Sequence, residues 1–228
     1  MSSIEQYDSI YKSNILKIKS GSIQIDNYLN GNILDSRKGV SLIIPIKTIH
    51  DSYFNLKEKI NEIDKDQYIY PFDDLHVTIF DFIQGTKNYK ADIDTEKICI
   101  EISNNVLNTI NTFWIEYKGI TCSSSAGLIQ GFDDNQLVNI REKIRKNMEL
   151  FNLKNDERYK SESSHITFLR FMKKIKDTRK FVNFINNNRI TNIGKEKVKD
   201  IELVEHDWYN KKESKRVINK YQLTTGST

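Results

Sequence analysis

A chain of 228 residues with 38% hydrophobic and 29% charged residues is sized for one core of generous extent under a well-solvated surface. No apolar run is long enough to span a bilayer, and residues 1–6 lack the basic-then-apolar pattern of a signal peptide, so a soluble, cytoplasmic protein without a membrane partner is expected. The net charge of +4, from 35 Lys and Arg against 31 Asp and Glu, tolerates an anionic ligand but lacks the dense basic stripe of a duplex-DNA binder.

Residues 1–37 show no pattern that assigns them a role. Residues 40–46 form a short apolar run with β-branched members and read as a strand. Asp51 and Ser52 offer an N-cap, and Phe54, Leu56, Ile60 and Ile63 follow at helical spacing. A turn over 71–74 leads into a strand over 75–80. Asp94 is a second N-cap candidate, followed by Ile98, Ile102, Val106 and Ile110 at every fourth position. Residues 113–117 read as a closing strand.

The same order then returns. Residues 126–130 are a strand. Asp133 and Asp134 cap a helix with Leu137, Ile140, Ile144, Met148 and Phe151 on one face. Residues 164–169 are a strand, Asp177 caps a helix carrying Phe181, Val182 and Ile185, and strands follow over 198–204 and 221–224. The expected fold is therefore α+β: one bilobal domain of two pseudo-symmetric antiparallel lobes with helices. Residues 1–37 are an extension, about 38–120 the first repeat and about 121–228 the second.

The two repeats align at their centres. His76-Val77-Thr78-Ile79 matches His165-Ile166-Thr167-Phe168. In a strand, residues two apart project to one face, so His76 points with Thr78 and His165 with Thr167. Packed about a pseudo-two-fold axis, the two strands bring two imidazoles and two hydroxyls to a central cleft. A neutral histidine can take a proton from a nucleophile, and an imidazolium can return one to a leaving oxygen. The threonine hydroxyls can donate to phosphate oxygens. His50-Asp51-Ser52 fits the bare H-x-[ST] spacing too, but its charged middle residue at a helix start sets it apart.

In these residues, and in the run His165-Ile166-Thr167-Phe168-Leu169-Arg170 above all, the chain resembles the 2H phosphoesterase superfamily, which includes RNA 2′,3′-cyclic phosphodiesterases of the RNA-ligase-like type. The resemblance covers most of the chain after residue 38. It implies a phosphodiesterase that needs no metal or other cofactor. His76 and His165 would be its acid/base pair, with Thr78 and Thr167 holding the phosphate. Substrates of such enzymes are 2′,3′-cyclic phosphates, 2′-5′ linkages or small cyclic nucleotides, so the expected partner is a nucleotide or an RNA end, met by a monomer. Arg170 is carried over as a substrate ligand. The first motif has Asp81 in its place, and strict alternation would turn Arg170 away from His165 unless a bulge or strand end intervenes.

Tyr70, Phe72 and Tyr159 lie just upstream of the two motifs, where loops could frame the cleft and stack on a base. His206 reads as a surface or strand-end residue, and no closely spaced ligand pair supports a zinc site. Cys99 and Cys122, in no metal spacing, read as reduced structural thiols. The alternative to an enzyme is a silent module of the same fold that binds a nucleotide or RNA end.

Overall fold

A computed structural model of the chain describes residues 3–225, apart from 32, 88, 91, 156 and 158–159. Its elements in chain order are helix α1 (Ser3–Lys19), strand β1 (Lys38–Pro45), helix α2 (His50–Asp64), the two-residue strand β2 (Tyr68–Ile69), a 3-10 turn (Phe72–Asp74) and strand β3 (His76–Thr86). Helix α3 (Ile93–Leu107), strand β4 (Phe113–Cys122), strand β5 (Ala126–Phe132) and helix α4 (Gln136–Leu150) follow. Strand β6 (Ile166–Arg170), helix α5 (Thr178–Asn187) and strands β7 (Asn192–Val198), β8 (Asp200–Asp207) and β9 (Arg216–Gln222) complete the described chain.

All nine described strands join one sheet, in the order β7-β4-β5-β6-β3-β1-β8-β9, with β2 pairing β6. About the seam between β6 and β3 the sheet falls into two four-stranded halves, β9-β8-β1-β3 and β7-β4-β5-β6. Their like positions are β1 with β5 and β3 with β6, as the repeat requires. The third strand of each half is exchanged. β4, which follows the first motif, pairs with β5, while β8, from the C-terminal part of the chain, pairs with β1. Each half of the sheet is thus built from both halves of the sequence.

β1 and β5 are buried along nearly their whole length, which explains their unbroken apolar runs. Helix α3 packs on α4 and α2 packs on α5, and the core runs continuously from Ile15 to Leu223. Of the expected caps, Asp177 holds as an N-cap; Asp51 and Ser52 lie inside α2, whose N-cap is Ile49, and α4 is capped at Asn135, with Asp133 reaching its first turn from two residues before. Asp177 accepts from Lys180 N, and Asp133 accepts from Leu137 N at 2.7 Å. For α3 the cap is Asp92, whose side chain accepts from Asp94 N, so Asp94 already sits in the first turn. Cys99 and Cys122 are free and buried, and burial pushes both thiols up to about 12.

The N-terminal extension is integral. α1 lies against β4 and α5, burying Tyr7, Ile15 and Ile18. The Tyr7 hydroxyl donates to the Gly131 carbonyl and accepts from the Gly131 amide, both at 3.1 Å. Beyond α1 the chain crosses the second half of the sheet, where Gln24 N donates to Ser124 O and Asp26 N to Phe171 O.

Candidate active site

β3 and β6 meet in a single registered pair, Val77 with Ile166. Extended by one residue either way, that antiparallel register would put His76 across from Thr167 and Thr78 across from His165. All four side chains are half-buried, whereas Val77 and Ile166 are fully buried on the opposite face. The two motifs are therefore neighbours at the seam and present their polar groups on one side of it.

Each strand then breaks alternation at the same place. Opposite β1, Leu42 pairs Phe80 and Ile43 pairs Thr78, leaving Ile79 as a bulge. Opposite β5, Gly127 pairs Leu169 and Leu128 pairs Thr167, leaving Phe168 as a bulge. Both bulges lie three residues after the histidine. They bring Asp81 and Arg170 back to the histidine face, which is why two buried residues precede each of them. The bulge that Arg170 requires is present.

The environments of the two histidines differ. His76 Nδ1 is 2.8 Å from the Asp74 carbonyl oxygen, which can only accept, and 3.2 Å from the Asn210 side-chain nitrogen; the shorter contact is met by a proton on Nδ1, which leaves the lone pair on Nε2. His165 Nδ1 is 2.7 Å from Ser163 Oγ, a hydroxyl that can donate or accept. Burial pushes His76 down to about 3, with the nearby His206, Lys215 and His165 adding to the effect against the Asp74 hydrogen bond. Burial also pushes His165 down to about 4, assisted by the positive charges of Arg141 and Arg170. Both imidazoles are neutral in the free protein at neutral pH.

Arg170 donates from Nε to the Tyr70 hydroxyl at 3.0 Å, and its guanidinium carbon lies 5.9 Å from the Trp208 ring. Tyr70, read from sequence as a cleft-framing aromatic, is 2% exposed and orients Arg170 instead. Its amide also donates to the carbonyl of the bulged Phe168 at 3.0 Å. Phe72 makes its ring contacts with His50, Tyr53 and Phe54 of α2. Tyr159 lies outside the described residues.

Sequence reasoning missed a third histidine. His206 lies at the end of β8, as expected, but turns inward, its ring centroid 6.4 Å from that of His76. Its Nδ1 lies 2.6 Å from Asp207 O and its Nε2 2.7 Å from Ser41 Oγ, contacts that both call for a ring N–H once the Ser41 proton goes to Asp81. Ser41 in turn donates to Asp81 at 2.5 Å. The link Asp81–Ser41–His206 spans β3, β1 and β8, so it depends on the exchanged strand. The one signal for it in the sequence is Asp81 at the position that Arg170 holds in the second motif.

Gly131 of β5 lies against the chain leading into His165. A Cβ there would sit 2.0 Å from the Ser164 carbonyl oxygen, so only glycine permits this approach. Among the described residues, no group of three or more His, Cys, Asp or Glu side chains is placed to hold a metal ion. None of the described helices is long and apolar enough to cross a membrane.

No protein-family model and no curated protein matches the chain. Solved structures do. TT0787 of Thermus thermophilus aligns with a TM-score of 0.59 over 84% of this chain and 100% of its own, at 12% identity. E. coli LigT without ligand aligns with a TM-score of 0.56 over 83% of this chain and 99% of its own, at 12% identity. The chain has the fold of LigT. A protein described as a phosphoesterase aligns similarly, with a TM-score of 0.55 over 82% of this chain and 99% of its own, at 12% identity. E. coli LigT has also been solved with ATP, with 3′-AMP and with phosphate. The likeness is one of overall fold; the histidines, hydroxyls and Arg170 are read from this chain itself.

Proposed function

We propose that the protein is a phosphodiesterase that cleaves an RNA-like phosphodiester by general acid/base catalysis between His76 and His165. The carrying observation is the Val77–Ile166 pairing, which gathers both His-x-Thr pairs at one seam. The Thr78 and Thr167 hydroxyls hold non-bridging phosphate oxygens, and Arg170 balances their charge. That LigT binds phosphate and adenine nucleotides supports an anionic nucleotide as the ligand here.

The hydrogen-bond partners separate the roles. His76, its lone pair fixed on Nε2, is the base. His165, whose Ser163 partner accommodates either protonation state, is the acid. With a 2′,3′-cyclic phosphate, His76 takes a proton from water as the water oxygen bonds to phosphorus. The bond from phosphorus to one ribose oxygen breaks, and His165 gives that oxygen a proton. Bound phosphate supplies the negative charge that raises the His165 pKa from its low free value. For a 2′-5′ or 3′-5′ link, the neighbouring ribose hydroxyl takes the place of water. These steps need no group beyond the chain's own side chains.

The test is a substrate panel containing nucleoside 2′,3′-cyclic phosphates, 2′-5′ and 3′-5′ dinucleotides and small cyclic oligonucleotides. Cleavage of any member supports the reading and names the substrate class. Tight binding of the panel without cleavage supports a nucleotide-binding module of the same fold instead.

A further inference from the structure

We propose that Arg141 is a positioning residue, which sets the separation of the two His-x-Thr pairs by bridging the seam where the β3–β6 ladder stops. Arg141 lies on α4 and is 0% exposed. Its Nε donates to the Ile79 carbonyl at 2.8 Å. One terminal nitrogen donates to the Thr78 carbonyl at 2.9 Å and to the Ser163 carbonyl at 2.8 Å. Continued past Val77 and Ile166, the ladder would set Thr78 against His165, Ile79 against Ser164 and Phe80 against Ser163. The strands diverge there, and the carbonyls of Thr78, Ile79 and Ser163 turn to the guanidinium.

Those three carbonyls belong to the site. Thr78 is one of the two motif threonines, Ile79 is the bulge that turns Asp81 onto the histidine face, and Ser163 carries the hydroxyl at His165 Nδ1. A single planar fork therefore fixes the backbone on both sides of the cleft. A lysine at this position keeps the charge but presents a compact ammonium rather than a fork. Burial pushes Arg141 down to about 10, against the pull of Asp133. Arg141 occupies the apolar stripe of α4 with Leu137, Ile144 and Met148, where a hydrophobic residue would avoid the cost of burying a charge. The contacts that the charge makes are all to the seam.

The consequence for turnover rests on the two-histidine reading, but the placement itself is tested without it. Full-length Arg141→Lys and Arg141→Met variants would be compared with wild type by NMR of the backbone amides and the histidine ring nitrogens, and by steady-state turnover. Loss of the fork is expected to shift the amides of Thr78, Ile79, Ser163 and His165 in both variants. Arg141→Met also removes a positive charge facing His165, where Arg170 is the other, so His165 titrates higher in Met and near its wild-type value in Lys. On a cleaved substrate, kcat falls about 100-fold in both variants with KM changed far less, the scale expected of a misplaced catalytic group. A folded Arg141→Lys protein with wild-type seam amides and wild-type kcat would overturn the proposal. Should Arg141→Met not fold, Arg141→Lys decides alone. Should wild type cleave nothing on the panel, the two-histidine reading fails and the amide shifts still decide the placement.

Discussion

Asp81 and Arg170 stand at the same position of the two motifs, five residues after the histidine, and each is turned onto the histidine face by a bulge two residues earlier. The backbone is symmetric where the side chains are opposite in charge. On the first side the carboxylate leads through Ser41 to His206, beside His76. On the second, the guanidinium is held by Tyr70 and adds to the positive potential at His165. The cleft is thereby polarised, and the two histidines are inequivalent before any substrate arrives.

Tyr70→Phe deletes the acceptor that orients the Arg170 Nε. A hydrogen bond to a charged group contributes about 1.5–3 kcal/mol. KM is expected to rise about tenfold or more while kcat stays within about threefold, because the phosphate contact weakens and the proton-transfer pair is untouched. Steady-state kinetics of Tyr70→Phe beside Arg170→Ala checks this, and an unchanged KM in both would remove Arg170 from the phosphate site.

Ser41→Ala removes the hydroxyl that links His206 to Asp81. Ser41 is 2% exposed, so both partners lose a buried contact. The expected destabilisation is about 1–3 kcal/mol, read as a lower urea midpoint at unchanged slope. Ser41→Thr, which retains the hydroxyl, is expected to lose less.

The two site histidines make stability pH-dependent. Their folded values, about 3 for His76 and about 4 for His165, lie below the ordinary histidine value of about 6.5. The unfolded chain therefore binds protons first as pH falls, and stability drops from about pH 6.5 down towards 4 and 3. Urea midpoints of wild type are expected to fall more between pH 7 and pH 4 than those of the His76→Asn/His165→Asn double variant. Equal slopes in the two proteins would show that the imidazoles are not held neutral.

The division of labour between the histidines has its own test. An acid is dispensable when the leaving group needs no proton. With a 4-nitrophenyl phosphodiester that the wild type turns over, His165→Ala is expected to retain activity within about tenfold, while His76→Ala loses the 10²–10⁴-fold typical of a missing general base. The opposite pattern would exchange the two roles.

Much of this site is written locally in the chain. The two His-x-Thr strands, the helices between them and their repeat follow from periods of 2 and 3.6 that short segments carry by themselves. The bulges at Ile79 and Phe168 do not, because a bulge is a mismatch with a partner strand that the segment cannot display. His206 and Ser41 are 165 positions apart and meet only because β8 crosses into the first half-sheet. Arg141 has a visible signal, four residues after Leu137 and three before Ile144 on the apolar stripe of α4, but a stripe is read by its apolar members. The extension is silent because α1 is a weakly patterned helix whose place is decided by Tyr7 reaching Gly131.

The most direct test of the central claim is turnover of the substrate panel in EDTA, by wild type and by the His76→Ala/His165→Ala double variant side by side. Cleavage that persists in EDTA and falls at least about 1,000-fold in the double variant is the predicted result. A folded double variant that cleaves as fast as wild type, or wild-type cleavage abolished by EDTA and restored by a divalent metal, would contradict it.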